Sequence, residues 1–114
     1  MEPNNLLNRL YLECSKAEPS KDRILSLIEE LLVWLNQPEN NTDNNCKKID
    51  YFVTKNIITN KLIENLWGDV QAILLDIGGA LHDTHTSPEI AENFESTPQK
   101  LLERVQKISN NKKI

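Results

Sequence analysis

The chain has 114 residues, of which 39% are hydrophobic, and its formal net charge at pH 7 is −4. This length suits one hydrophobic core, and the aliphatic content is too high for a chain that is disordered throughout. Three glycines and six aromatic residues are too few for a small β-barrel or β-sandwich, so the composition predicts an all-α, single-domain globule.

The first predicted helix covers residues 4–16. Asn4 can cap it, its apolar residues recur at helical spacing, and Pro19 follows its end. Cys14 lies on the apolar face of this helix, so we expect it to be a small buried hydrophobic residue.

The second predicted helix has the widest apolar face in the chain. Ser20 can cap it, and Pro38 limits its end to about Gln37. An apolar face of this width predicts a central helix of the core. Residues 36–45 contain five asparagines and no aliphatic side chain, which predicts a loop that includes Asn40, Asn41 and Asn45. Cys46 is expected to lie in the polar loop, and we expect both cysteines to be reduced.

Helical spacing resumes after the loop in two stretches. Apolar residues over 49–59 keep a helical period, although their β-branched and aromatic side chains would also suit a strand; helix is the prediction. Residues 62–81 hold one helical phase. Gly68 can interrupt it, with Asp69 as the cap of the second half.

Two helix starts are predicted near the C-terminus. Ser87 and Thr97 each precede a proline that can occupy the first helical position. This pattern predicts short helices over 88–95 and 98–109. With the preceding segments, the chain is predicted to form six or seven short helices.

The two ends of the chain shape the expected organisation and location. Residues 1–109 are predicted to form one helical domain, followed by a frayed basic tail at 110–114. The first residues have neither the basic start nor the apolar stretch of a signal peptide, and no apolar run approaches the roughly 18 residues of a membrane span. These features predict a cytoplasmic protein that does not interact with membranes.

Two enzyme motifs are matched only in part. Residues 72–81 resemble the first motif of haloacid-dehalogenase-type phosphatases, with Asp76 at the position of the nucleophile. That family needs a second carboxylate two residues later, where this chain has Gly78. His82 and Asp83 resemble the paired ligands of HD-type phosphohydrolases, but the upstream histidine of that family is missing.

A simpler metal site would use the histidines with nearby carboxylates. Asp76, His82, Asp83 and His85 could share a metal if one helix presented them on one face. Hydrogen bonds and the dipole at a helix C-terminus explain two histidines there more simply. The sequence therefore predicts no enzyme, no metal site and no cofactor.

Charge is unevenly distributed along the chain. Residues 62–99 contain seven carboxylates and no Lys or Arg, whereas residues 100–114 carry a net charge of +4. The acidic segment suits either an ordinary solvated surface or a face that attracts a basic partner. The overall negative charge disfavours direct binding of nucleic acid.

One stretch carries a family resemblance. Residues 76–105 read DIGGALHDTHTSPEIAENFESTPQKLLERV. This stretch resembles the small all-helical immunity proteins of contact-dependent growth inhibition, including a type that neutralises RNase A-like toxins.

The resemblance implies a non-enzymatic, cytoplasmic protein that forms a heterodimer with a cognate toxin domain and blocks its active site. A ribonuclease has a cationic cleft for phosphates, which an acidic inhibitor can cover. The candidate toxin-binding residues are Asp76, His82, Asp83, His85, Glu89 and Glu92. The alternative is a small helical regulatory or adaptor protein with an acidic docking surface.

Overall fold

The structure, a computed structural model that describes residues 3–111, is helical in all its regular elements. The all-α prediction is confirmed. In chain order the described elements are α1 (Pro3–Cys14), α2 (Lys21–Asn36), α3 (Asp43–Val53), a π-helical turn (Thr54–Ile58), a 3-10 turn (Leu62–Asn65), α4 (Gly68–Ala80), α5 (Asp83–Thr86), α6 (Pro88–Asn93) and α7 (Pro98–Asn111). None of these helices is long and apolar enough to cross a membrane.

Helix α2 is the centre of the core, as its apolar face predicts. Ser20 caps it by accepting the backbone N–H of Arg23 at 3.3 Å. The helix packs against both α1 and α7, while α3 packs against α4. Its buried side chains are Ile24, Leu25, Ile28, Leu31, Leu32 and Leu35.

The start of α1 differs from the prediction. The helix begins at Pro3, so Asn4 lies inside it and is not the cap. A proline fits the first turn of a helix because the N–H that it lacks would have no partner there. Cys14 ends the helix and is buried, as predicted.

The predicted loop over 36–45 is wrong at its C-terminal end. Helix α3 begins at Asp43, because the hydroxyl of Thr42 accepts the N–H of Asn45 at 3.2 Å and caps it. Cys46 therefore lies in a helix and is fully buried, contrary to its predicted position in the polar loop.

The helical prediction for 49–59 is confirmed, with a change of helix type. Helix α3 passes into the π-helical turn, where the N–H of Thr59 donates to the carbonyl of Thr54 at 2.9 Å. This turn packs tightly on α4 at Gly78, where an added Cβ would overlap the Ile58 side chain. The hydroxyl of Thr54 also donates to the Gly78 carbonyl.

Residues 62–81 form two elements, although their apolar positions keep one helical phase. Lys61 adopts a left-handed φ of 63°, and the chain is extended at Leu66 and Trp67 before α4 begins at Gly68. The predicted cap at Asp69 is wrong, since Asp69 lies inside the first turn. Its carboxylate accepts the N–H of Val70 and pairs with a lysine from α2.

The two proline-led helices form where they are predicted. Thr97 caps α7 by accepting the N–H of Lys100 at 3.2 Å, whereas the Ser87 side chain makes no capping bond to α6. Helix α6 ends at Asn93, and α7 continues to Asn111. The rest of the predicted frayed tail lies outside the described residues.

Candidate protein-binding surface

The candidate site lies on two consecutive short helices, α5 and α6, and the turn after them. Its members are acidic, apolar or imidazole side chains of these elements, and all of them are exposed except Asp83, whose side chain is 15% exposed. We call this set the α5–α6 surface, and it consists of Asp83, His85, Glu89, Ile90, Glu92, Phe94 and Glu95.

Three glutamates form the exposed acidic part of this surface. Glu89 and Glu92 are three residues apart on α6, so they share one side of the helix. With Pro88 and Asn93 they line an open cleft of about 370 Å³. These two carboxylates and that of Glu95 form no ion pair with any side chain of residues 3–110.

The apolar part of the surface is exposed to solvent. Ile90 is 44% exposed and Phe94 is 59% exposed, and their spacing of four residues places them side by side. Only Ala91 of α6 is fully buried. The helix therefore rests on the core through one small side chain and presents the others to solvent.

Hydrogen bonds from Ser96 and Arg104 hold the turn after α6. Ser96 is fully buried, and its hydroxyl donates to the carbonyl of Ala91 at 3.2 Å. Arg104 of α7 donates both to Asp76 at 2.6 Å and to the backbone carbonyl of Glu95 at 3.3 Å. Glu95 has a left-handed φ of 51°, so these bonds hold a strained residue in place.

The Arg104 contact also defines the role of Asp76. Both side chains of this pair are 25% exposed, and the guanidinium balances the charge of the carboxylate. Asp76 was predicted as a candidate partner contact; the structure places it on α4, under the end of the α5–α6 surface. There it can position Glu95 through Arg104.

His82 links α3 to α5. Its Nδ1 lies 2.5 Å from Oδ2 of Asp50, and its Nε2 lies 3.1 Å from Oδ1 of Asp83. Ionised carboxylates only accept hydrogen bonds, so both ring nitrogens donate only when the imidazole is protonated. In that state His82 is a structural cation between two acidic side chains that are about 15% exposed.

His85 lies on the outer side of α5. Its Nε2 is 2.8 Å from the amide oxygen of Asn41, which accepts the ring N–H. Asn41 belongs to the loop before α3, so this bond ties the α5–α6 surface to a second part of the chain. His85 lies in the last turn of α5, and His82 directly follows Leu81, the C-cap of α4. Both histidines therefore lie at or next to a helix C-terminus, as the simpler explanation predicts, but at two different helices.

The His, Cys, Asp and Glu side chains of the described residues give two further observations. Within residues 3–111, no group of three or more His, Cys, Asp or Glu side chains is arranged to hold a metal ion. Burial, followed by the nearby Glu13 carboxylate, raises the pKa of Cys14 to about 12. Burial, followed by Asp43 and Asp50, raises the pKa of Cys46 to about 11. Neither thiol is a nucleophile at neutral pH.

The acidic segment 62–99 is only partly neutralised by the fold. Asp69 pairs with Lys21 at 3.0 Å and Asp76 with Arg104 at 2.6 Å, both through basic residues from outside the segment. The carboxylates that stay without an ion pair in the described part of the chain are Glu64, Glu89, Glu92 and Glu95. Three of these four belong to the α5–α6 surface, so folding concentrates the negative charge there.

Four of the six candidate residues from the sequence lie on the α5–α6 surface, namely Asp83, His85, Glu89 and Glu92. His82 lies beside Asp83 at the start of α5. The contribution of Ile90 and Phe94 was missed because an apolar residue in a short helix is expected to be buried. Comparison of the chain with protein-family models, with curated proteins and with solved structures finds no match to any of them.

Proposed function

We propose that this protein is an immunity protein, which binds a cognate bacterial toxin domain and neutralises it by covering a cationic active-site cleft. The observation that supports this most directly is the α5–α6 surface. It combines carboxylates that lack ion pairs within the described chain with exposed Ile90 and Phe94.

The two kinds of side chain serve different parts of binding. Carboxylates attract a basic partner over a distance and exclude acidic ones, which sets the rate and the specificity of association. Buried apolar and aromatic anchors supply most of the affinity once water is excluded. Glu89 and Glu92 would face Lys and Arg side chains of the toxin, and Phe94 would fill an apolar recess beside them.

The toxin proposed on these grounds is a nuclease, and a ribonuclease in particular. A ribonuclease binds successive phosphates through basic side chains, and a row of carboxylates on a helix offers those side chains similar charges. Inhibition requires no chemistry from the immunity protein. It forms a heterodimer in the cytoplasm without cofactor, membrane or nucleic acid.

The structure suggests how the surface keeps its shape before binding. Arg104 holds the end of α6, His82 holds the start of α5, and Asn41 holds His85. A surface fixed in advance loses less conformational freedom when it binds. Asp76 and His82 would therefore act as positioning residues under the contact surface.

The test first asks whether the gene directly upstream encodes a large toxin, and it then uses the C-terminal domain of that toxin. Wild-type protein should bind that domain and protect RNA from it. Glu89→Lys and Glu92→Lys together should weaken both binding and protection by at least about a hundredfold, as expected for two central charged contacts.

A matched control keeps the net charge the same. Glu18 and Glu39 are exposed residues of other loops, and reversing both to Lys changes the total charge by the same amount. This control should bind as the wild type does, and circular dichroism should show both variants folded. Equal weakening by the two pairs would contradict the assigned surface. Failure of the wild type to bind or protect would contradict the immunity function and favour the adaptor alternative.

A further inference from the structure

A groove runs along the seam between α1 and α2, away from the helices of the α5–α6 surface. One cleft of about 580 Å³ is bounded by Leu12 of α1 and Leu27 of α2, among others. A second cleft of about 430 Å³ adjoins Val33 and Trp34. Glu30 borders both clefts, and we call the two clefts together the α1–α2 groove.

The groove combines charged residues with apolar side chains that the described chain leaves partly uncovered. Its charged residues are Arg9, Glu13, Lys16, Asp22, Arg23, Glu29 and Glu30. Leu12 is 59% exposed and Val33 is 44% exposed, while Leu27 and Trp34 are only half-buried. Leu27 and Trp34 extend the apolar face of α2 beyond its six buried side chains, and Val33 lies among the polar residues of the opposite side. Helices α1 and α7 cover part of α2 and leave this stripe open.

The charges along the stripe have opposite signs at its two ends. Arg23 is 71% exposed and lies 4.0 Å from Glu13, a carboxylate already bonded to Lys16. Glu30 forms no ion pair with any side chain of residues 3–110. Arg23 and Glu30 are seven residues apart, or about 10.5 Å along the same side of the helix.

This pattern is complementary to itself. If a second copy of α2 packs antiparallel around a two-fold axis at Ser26 and Leu27, Arg23 of each copy faces Glu30 of the other. The contact forms twice because the symmetry repeats it. The small side chain of Ser26 at the crossing point allows the two helices to approach closely.

We infer that the α1–α2 groove binds a second copy of this chain. The two helical hairpins then form a four-helix arrangement in which Leu12 and Val33 of each copy are buried. The α5–α6 surface is built from other helices, so a dimer formed in this way does not depend on the proposed function.

Sedimentation equilibrium of the protein alone tests this dimer. The apparent mass should rise with concentration from 13.1 kDa toward twice that value. Leu12→Glu and Val33→Glu should each raise the dimer dissociation constant by at least about tenfold. Phe94→Glu is the matched control, because it adds the same charge to an equally exposed apolar side chain elsewhere and should leave dimerisation unchanged.

Charge exchange gives a second test on side chains that do not support the core. Arg23→Glu alone and Glu30→Arg alone should each weaken the dimer by about tenfold, since each places like charges opposite one another. The double variant should dimerise nearly as well as the wild type. A wild type that remains monomeric at about 1 mM, or a double variant weaker than either single variant, would overturn the inference.

Discussion

Glu13 shows how one buried side chain can join two helices. It is 5% exposed at the end of α1, and it accepts the backbone N–H of Ser20, which precedes α2, at 2.9 Å. Lys16 donates to the same carboxylate at 2.9 Å. These bonds satisfy both oxygens and fix the turn between the helices that form the α1–α2 groove.

The same bonds make stability depend on pH. The hydrogen bond from Lys16, followed by that from the Ser20 backbone, holds the pKa of Glu13 below its ordinary value of 4.5. The unfolded chain therefore takes up this proton at a higher pH than the folded chain does. The stabilisation by ionised Glu13 is complete above about pH 4.5 and is lost as the pH falls through the lower, folded-state value.

Glu13→Gln should accordingly be less stable than the wild type at pH 7, and the difference should shrink as the pH falls below 4.5. Chemical denaturation at pH 7 and at several acidic pH values measures both quantities. Glu18→Gln, an exposed change in the following turn, controls for the loss of one carboxylate. A gap between wild type and Glu13→Gln that stays constant through the acidic range would contradict the assigned bonds.

Adjacent glycines in α4 offer an internal comparison of packing. A Cβ at Gly78 would overlap the Ile58 side chain and crowd Thr54, whereas a Cβ at Gly79 would meet no atom within 4 Å. Gly78→Ala should destabilise the protein by about 1–3 kcal/mol through overpacking. Gly79→Ala should stabilise it by up to about 1 kcal/mol, because alanine favours a helix. Thermal unfolding of both variants measures the contrast, and equal effects would show that the π-helical turn packs elsewhere.

At the scale of elements, α2 carries the largest share of the core. Leu31 is 1% exposed, at the middle of the helix that packs on both α1 and α7. Leu31→Ala should therefore cost about 2–5 kcal/mol in the free energy of unfolding. Leu75→Ala removes the same atoms from a side chain that is 46% exposed on α4, and it should cost less than about 1 kcal/mol. Similar losses for the two variants would contradict the central position of α2.

Local signals predicted the elements whose ends are set by local bonds. Ser20 and Thr97 each cap a helix through a hydroxyl that accepts an N–H three residues later. A serine or threonine before a helical pattern predicts such a cap. The break between 62 and 81 was not predictable in position, because Lys61 takes a left-handed conformation while the apolar spacing continues unchanged. The spacing of apolar residues indicates which side of a helix is buried. It does not indicate where the backbone stops being helical.

The charged residues of the candidate site could be predicted from the sequence, but the distant side chains that hold them in place could not. Glu89 and Glu92 of α6 are three residues apart, so the sequence alone predicts that their carboxylates cluster. Arg104 lies 28 residues from Asp76, and Asp50 lies 32 residues from His82, and only folding brings each pair together. A single sequence gives no indication of such distant partners.

The charge of the whole molecule is redistributed by folding. Lys21 and Arg104 neutralise two carboxylates of the acidic segment, one from the start of α2 and the other from α7. Of the five remaining carboxylates of that segment, Glu64 lies on the 3-10 turn and Asp83 pairs with His82. The other three lie on α6 or just after it, where they form no ion pair with a described side chain. The molecule therefore has a local negative field larger than its net charge of −4 suggests.

Such a field should govern how fast a basic toxin domain associates. The screening length falls from about 10 Å at 0.1 M salt to about 3 Å at 1 M, so long-range attraction is largely lost over this range. The association rate constant should fall steeply with salt, and the dissociation rate constant should change little, because the apolar contacts of Ile90 and Phe94 are short-ranged.

Stopped-flow mixing at several salt concentrations measures the association rate constant. The Glu89→Lys and Glu92→Lys double variant should show a flatter salt dependence, whereas the Glu18→Lys and Glu39→Lys control should keep the slope of the wild type. An association rate that is independent of salt would show that charge does not guide the encounter, even if the two proteins bind.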